Sequence, residues 1–348
     1  MLRKLGKFFK KSDINLTLNQ LVRVESLKKY FPVERGFLAR IFSKKGEFIH
    51  AVDGISFEIK EGETFGLVGE SGCGKSTTGR LVLRLIEPTE GNVYFENQNL
   101  SLLGKKGIKE IRNKMNMVFQ NPYASLNPRM TIMETINEPL KLQSSTSLKE
   151  QKEFVIELLD NVGLRPPSYF IDRYPHELSG GERQRVVFAR AVALRPKFIV
   201  ADEPVASLDA SFKTQILNLM RSLKESLGLT YLLIAHNIAV VKYLSNQIAV
   251  MYLGKIVEQA QTEDLFKSPE HPYTRALISA FTFLDGISEQ EQQNRVILKG
   301  EITSPINLPS GCRFHPRCPF CLPECKKEEP KLIEIETGHR VACWRVIH

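Results

Sequence analysis

Between Ala51 and Lys60 the apolar residues Ile55, Phe57 and Ile59 alternate with Ser56, Glu58 and Lys60, the period of a half-buried strand. Glu61 and Gly62 turn the chain into a second strand over Thr64 to Val68. From Lys75 to Ile86 the apolar spacing becomes helical, and Pro88 is the stop. Ser147, Leu148, Lys149 and Glu150 spell a capping box, followed by Phe154, Val155, Leu158, Leu159 and Val162 at helical spacing and by Gly163. Phe198 to Ala201 and Tyr231 to Ala235 read as short buried strands. A helix around Thr214 to Leu227, ended by Gly228, lies between them. Strands that alternate with helices imply a mainly parallel sheet. After about Ile256 the pattern weakens and prolines gather at Pro305, Pro309, Pro316, Pro319, Pro323 and Pro330, which marks a separate C-terminal region. No motif is repeated.

The longest apolar runs, Tyr231 to Ala235 and Ile248 to Leu253, fall far short of the roughly 18 residues of a membrane-spanning helix. The start, MLRKLGKFFKK, is basic but lacks the apolar stretch and cleavage site of a secretory signal, so a cytoplasmic protein is expected. In that stretch Leu2, Leu5 and Phe9 can share one helical face, with Lys4, Lys7 and Lys11 elsewhere. A helix lying on a membrane and a frayed basic tail are both open readings. The net charge of +9 suits nucleic acid, anionic lipid or an acidic partner and chooses none of them. Five of the six cysteines lie between Cys312 and Cys343, and in a reducing compartment clustered thiols point to metal.

The chemistry begins at Gly69-Glu-Ser71-Gly72-Cys73-Gly74-Lys75-Ser76, followed by Thr77. It fits GxxxxGK[ST] between a strand and a helix, so successive N–H groups can curl around phosphates at a helix N-terminus. Lys75 would reach the terminal phosphates and Ser76 would ligate magnesium. Phe198-Ile-Val-Ala-Asp202-Glu203 is a buried strand ending in two acids. Asp202 would hold the metal and Glu203 would polarise the attacking water. In Leu178-Ser179-Gly180-Gly181-Glu182-Arg183-Gln184, Ser179 and Glu182 form a helix capping box, and the two glycines leave bare N–H groups able to meet a phosphate.

This last string resembles the signature of the ATP-binding cassette (ABC) family. The resemblance implies an α/β P-loop NTPase of RecA-like type, an ABC nucleotide-binding domain with antiparallel β and α-helical subdomains, here with a Cys-rich C-terminal extension. The boundaries expected are a basic tail at 1–18, an ATPase domain at 19–258 with its helical subdomain at about 121–180, and a C-terminal region at 259–348. In that family the signature of one subunit closes over ATP held by the phosphate loop of a second. Gln120 in VFQNP matches the loop that senses magnesium and the membrane subunits, Asp209 in ASLD the loop that crosses the dimer interface, and His236 the switch histidine at the terminal phosphate. Phe31 or its neighbour Tyr30 would stack the adenine, although 19 residues separate Phe31 from Ala51, more than is usual in the family.

VFQNPYASLNPRMT, EPVASLDAS, SPEHPYTRALISA and the C-terminal GCRFHPRC…C…GHRVACW resemble the oligopeptide, dipeptide and nickel importer class, and EPVASLD its F-type ATPase. Implied are ATP and magnesium as cofactors, a second, different cassette, two transmembrane permeases and an extracytoplasmic binding protein, at the cytoplasmic face of the membrane. Peptide is the expected cargo, with nickel or another small solute as the alternative. A non-transport ABC regulator that binds nucleic acid is the competing class, and no nucleic acid is expected on the importer reading. Cys312, Cys318, Cys325 and Cys343 would hold a four-iron iron-sulfur cluster, their spacings of five, six and seventeen residues being looser than the paired knuckles of a zinc ribbon. Cys321 is extra to the family pattern. Zinc, with His315 or His339 in place of a cysteine, and unligated thiols are the other readings.

Overall fold

The computed structural model describes residues 20–33, 47–141, 147–282 and 304–347. The N-terminal tail therefore lies outside the described residues. Among those described, no helix is long and apolar enough to cross a membrane.

The early strands separate into two sheets. β1 (Gln20–Pro32) and β2 (Phe48–Lys60) pair antiparallel, and β4 (Glu90–Phe95) and β5 (Gln98–Asn99) complete a four-stranded sheet in the order β2-β1-β4-β5. β3 (Thr64–Val68) leaves for a second, eight-stranded sheet. That sheet takes in β6 (Met115–Val118), β7 (Phe198–Asp202), β8 (Thr230–Ala235), β9 (Gln247–Tyr252), β10 (Lys255–Gln261), β11 (Ile333–Glu336) and β12 (His339–Val341). Its order is β11-β12-β10-β9-β3-β8-β7-β6, and β9-β3-β8-β7-β6 are parallel. β3, β7 and β8 are buried at every residue, as a parallel sheet covered on both faces requires. One core packs the first sheet against the second, with the Phe57 and Phe65 rings stacked at 4.9 Å. The other core lies on the opposite face, under the helices.

The C-terminal region is less separate than its prolines suggest. β10 runs through the expected boundary at residue 258, and β12 pairs with it at Glu258 and Gln259. The helix after β3 is shorter than its apolar spacing predicts, Lys75–Val82, because Arg84 adopts a left-handed φ of 48° before Pro88 is reached. The 147–163 expectation holds: Ser147 and Glu150 cap helix Leu148–Asn161, and Gly163 follows at φ 77°. The helix expected at 214–227 starts earlier, Ala210–Leu227, and ends at Gly228 as read.

Glu258 fastens the C-terminal hairpin. Its carboxylate is fully buried, accepts the N–H groups of Glu270 at 2.7 Å and His271 at 2.9 Å, and meets Nε2 of His339 at 2.8 Å. That carboxylate raises the pKa of His339. His271 is the reverse case. Burial, against the opposing pull of Glu258, lowers its pKa from 6.5 to about 4, and its Nδ1 accepts the N–H of Tyr273 at 3.1 Å. A histidine that must stay neutral lends stability that is complete above its ordinary pKa and is lost as pH falls towards the folded value. His271→Asn keeps an acceptor for the Tyr273 N–H and removes the titration. The wild type should lose up to about 3 kcal/mol relative to this variant between pH 6.5 and 4, seen as thermal midpoints measured across that range. A difference that does not change with pH would contradict the assignment.

Candidate nucleotide site

The phosphate loop connects β3 to helix Lys75–Val82, and its glycines are demanded by what lies behind it. A Cβ on Gly69 would collide with the carbonyl oxygen of Met251 in β9, and one on Gly74 with that of Ala51. Gly74 also adopts φ 109°, a conformation side chains rarely take. Ser71 and Gly72 are exposed at the tip, Cys73 is buried beneath it, and Ser76 and Thr77 are half-buried. Lys75 is 4% exposed, and its ammonium donates to the carbonyl oxygens of Gly69 at 2.8 Å and Glu70 at 2.9 Å.

Two strands away, β7 delivers the acids. Asp202 Oδ1 accepts from Ser76 Oγ at 2.9 Å. Burial and the neighbouring charge of Glu203 push its pKa up, against the Ser76 hydrogen bond and the charges of Arg80 and Lys75. A buried acid that wants more positive charge, beside a hydroxyl, fits a hard divalent cation bound through oxygen. Glu203 follows in the left-handed region at φ 48°, its N–H held by Ile234 O at 2.9 Å. That turn aims its carboxylate outward, where Oε2 accepts Gln120 Nε2 at 2.9 Å and lies 3.2 Å from His236 Nδ1. Gln120, Glu203 and His236, which follow the ends of β6, β7 and β8, are thus one cluster. Lys75, Ser76, Thr77, Ser71, Gly72, Gly74, Gln120 and Glu203 line a cavity of about 310 Å³. Phe31 lines it too, whereas the Tyr30 hydroxyl donates to Asp53 at 2.5 Å and its ring lies against His50.

The signature residues do not reach this cavity. Ser179 caps helix Gly180–Val192, its Oγ accepting Glu182 N–H at 3.3 Å while Glu182 Oε2 accepts Ser179 N–H at 2.8 Å. The N–H groups of Gly180 and Gly181 are left without intrahelical acceptors. Gly181 lies against the ring of Phe212, and exposed Asp209 starts the helix that carries Phe212. These residues form a second surface of the same chain.

Sequence reading missed the strut between the two surfaces. Arg183, 5% exposed, donates to Pro175 O at 3.0 Å and to the Tyr123 hydroxyl, and its guanidinium lies 3.6 Å over the Tyr123 ring. Arg190 reaches Ser125 O at 2.8 Å and Glu138 at 2.9 Å. Both arginines tie the signature helix to the segment after Gln120. An arginine facing the buried side of a predicted helix was the available signal.

At the C-terminal end Cys312, Cys318, Cys325 and Cys343 are free thiols, the last two buried and the first two partly so. Burial pushes the pKa of Cys312 up to about 12 and that of Cys318 up to about 11, and each is raised further by the other cysteines. Cys321 sits at the edge and donates to Leu322 O at 3.4 Å. Among the described residues no three His, Cys, Asp or Glu side chains are grouped so as to hold a metal ion. Both histidines of the zinc reading have partners of their own. His339 is committed to Glu258, and His315 Nδ1 lies 2.9 Å from the carbonyl of Cys312.

Arg183→Met should leave Pro175 O and the Tyr123 hydroxyl without their donor at a cost of about 2 kcal/mol, measured as a lower urea midpoint. An unchanged midpoint would remove the strut.

A family model described as "ABC transporter" matches residues 52–206, and one described as "Oligopeptide/dipeptide transporter, C-terminal region" matches residues 257–325. The chain is 48% identical over 324 residues to the putative oligopeptide transport ATP-binding protein YkfD of Bacillus subtilis (strain 168), covering 93% of this chain and 94% of that one. To the oligopeptide transport ATP-binding protein AppF of the same organism it is 46% identical, covering 93% and 96%. To the dipeptide transport ATP-binding protein DppF of Haemophilus influenzae it is 44% identical, covering 94% and 97%. A solved dimeric ATP-binding cassette in a post-hydrolysis state, bound to ADP and Pi, superposes with a TM-score of 0.60 at 30% identity, over 70% of this chain and 99% of that one. At these identities and over nearly the whole of each relative, the chain belongs to the ATP-binding proteins of the oligopeptide/dipeptide ABC transporters.

Proposed function

We propose that this chain binds and hydrolyses MgATP to power the import of di- or oligopeptides, as the F-type subunit of its transporter. The names of its relatives support the cargo, and the names AppF and DppF support the paralogue. Two transmembrane permeases and an extracytoplasmic binding protein complete the assembly, with this chain at the cytoplasmic face of the membrane.

Lys75 and the N–H groups of the phosphate loop take the β- and γ-phosphates, Ser76, Asp202 and Gln120 hold magnesium, and Phe31 stacks the adenine. Magnesium supplies charge to the phosphate oxygens. Glu203 is the base for the attacking water, and His236 contacts the terminal phosphate. The observation that carries this reading is that Gln120 and Glu203 line the cavity together with Lys75 and Ser76, with His236 beside Glu203. Glu203→Gln keeps the shape and the Gln120 contact but removes the basic oxygen. MgATP should bind as before while single-turnover hydrolysis slows by about 10²- to 10⁴-fold. A near-normal rate would take Glu203 out of the catalytic role.

Ser179, Gly180, Gly181 and Glu182 are outside the cavity of their own chain, which supports a site completed by the signature of a second cassette, with Asp209 crossing between the two. A different cassette is the proposed partner.

Cys312, Cys318, Cys325 and Cys343 are proposed to hold a four-iron cluster. Burial and the neighbouring cysteines raise the pKa values of Cys312, Cys318 and Cys343, so these three ionise more readily when positive charge is supplied among them, and four irons provide it over a wider span than one zinc. The cluster would staple a proline-rich loop. Anaerobically purified protein should contain about four irons and four sulfides per chain by chemical analysis. Protein without iron and sulfide, or carrying zinc, would reject it.

A further inference from the structure

Glu70, the second residue of the phosphate loop, is a spacer in the motif, yet each of its three handles is held. Its carbonyl accepts Lys75 Nζ at 2.9 Å. Its N–H donates to the Tyr273 hydroxyl at 2.8 Å. Its carboxylate receives both ends of the Arg317 guanidinium, at 2.6 Å and 3.0 Å. Tyr273 belongs to the HPYTRAL segment and Arg317 immediately precedes Cys318, so both external handles come from the C-terminal region.

These handles stand on a firm base. Tyr273 is fully buried, its ring 4.8 Å from Tyr252 and 5.5 Å from Phe314. The Arg317 side chain is 7% exposed. Arg313, four residues before it, binds Asp53 and Leu253 O, next to Gly254, whose N–H donates to Cys73 O at 2.9 Å. The loop is thus gripped from behind by residues more than two hundred positions later in the chain. Among the loop's polar contacts, those of Lys75 are with the loop's own carbonyls, and Lys75 gives them up when it turns to phosphate. The contacts of Tyr273 and Arg317 point away from the cavity and survive that turn. Arg317 also pairs with a carboxylate that would otherwise stand uncompensated beside incoming phosphates.

We propose that Arg317 and Tyr273 are positioning residues for the nucleotide, bracing the phosphate loop through Glu70 so that the shape of the loop, and hence MgATP affinity, depends on the docked cysteine loop. This rests on the nucleotide reading of the cavity. Its consequence is that anything that displaces the cysteine loop loosens nucleotide binding.

The test uses the full chain, with binding of a non-hydrolysable MgATP analogue by calorimetry and turnover at saturating MgATP. Arg317→Met should weaken the analogue by about tenfold while saturated turnover falls by less than about twofold, a split that points to positioning. Arg317→Lys should recover part of the affinity. Adding Glu70→Gln to Arg317→Met should leave the affinity as weak as in Arg317→Met, because the brace is absent from both. The proposal is overturned if Arg317→Met binds as tightly as the wild type, if the double variant regains wild-type affinity, which would make the loss one of uncompensated charge, or if turnover falls with affinity unchanged. Thermal midpoints of all three variants separate misfolding from loss of affinity, and Arg317→Lys carries the test if the methionine variant does not fold. Wild-type chain that binds no analogue would instead sink the nucleotide reading itself.

Discussion

The hydrogen bond of 2.9 Å between Ser76 Oγ and Asp202 Oδ1 joins the helix after β3 to the end of β7, across the intervening β8. The chemistry depends on that closure. On the proposed function the N–H groups that would take phosphate come from one strand end and the acid that would hold the metal from another, and they are useful only at a fixed separation. The parallel sheet fixes it: β3, β8 and β7 are in register through buried ladders, and burial on both faces leaves a one-residue slip nowhere to put its side chains. The position of Glu203, one residue further on, follows from the same anchor.

Burial explains how the site can be both rigid and reactive. Asp202 and Lys75 are nearly inaccessible, and their charges are poorly served by solvent. Lys75 makes do with two loop carbonyls, and Asp202 with a serine hydroxyl and more distant cations. Such groups gain more from a phosphate and a cation than exposed ones would, because the interaction is made in a low dielectric and no hydration shell is lost again. Gln120, Glu203 and His236 stand nearer solvent, where water and a second chain can reach them.

The parts legible in the sequence were those whose physics is local. The phosphate loop, the capping boxes at Ser147 and Ser179, the Gly228 stop and the buried strands each depend on a few neighbouring residues. Where the outcome depended on distant contacts, reading failed or stopped short. Helix Lys75–Val82 ends at a left-handed Arg84 that donates to Leu100 O and to Leu103 O at 2.7 Å, partners no local pattern reveals. Irregularities in the pairing of β1 with β2, including one between Lys29 and Tyr30, decide that Phe31 lines the cavity while Tyr30 is turned to Asp53. The proline-rich end looked separate because β12 is three residues long, too short to show a period, yet it extends the main sheet. The pairing of Glu70 with Arg317 spans 247 residues and leaves no trace in either segment.

One chain presents a phosphate loop and a signature on different surfaces, and the central claim is that each works with its counterpart on another cassette. The direct measurement locates nucleotide trapped during turnover in an assembled transporter that carries Ser179→Arg on this chain alone. Cross-linking of the trapped nucleotide should label the phosphate loop of this chain and no longer that of the partner cassette. Label lost from this chain's own loop and retained on the partner's would contradict the account.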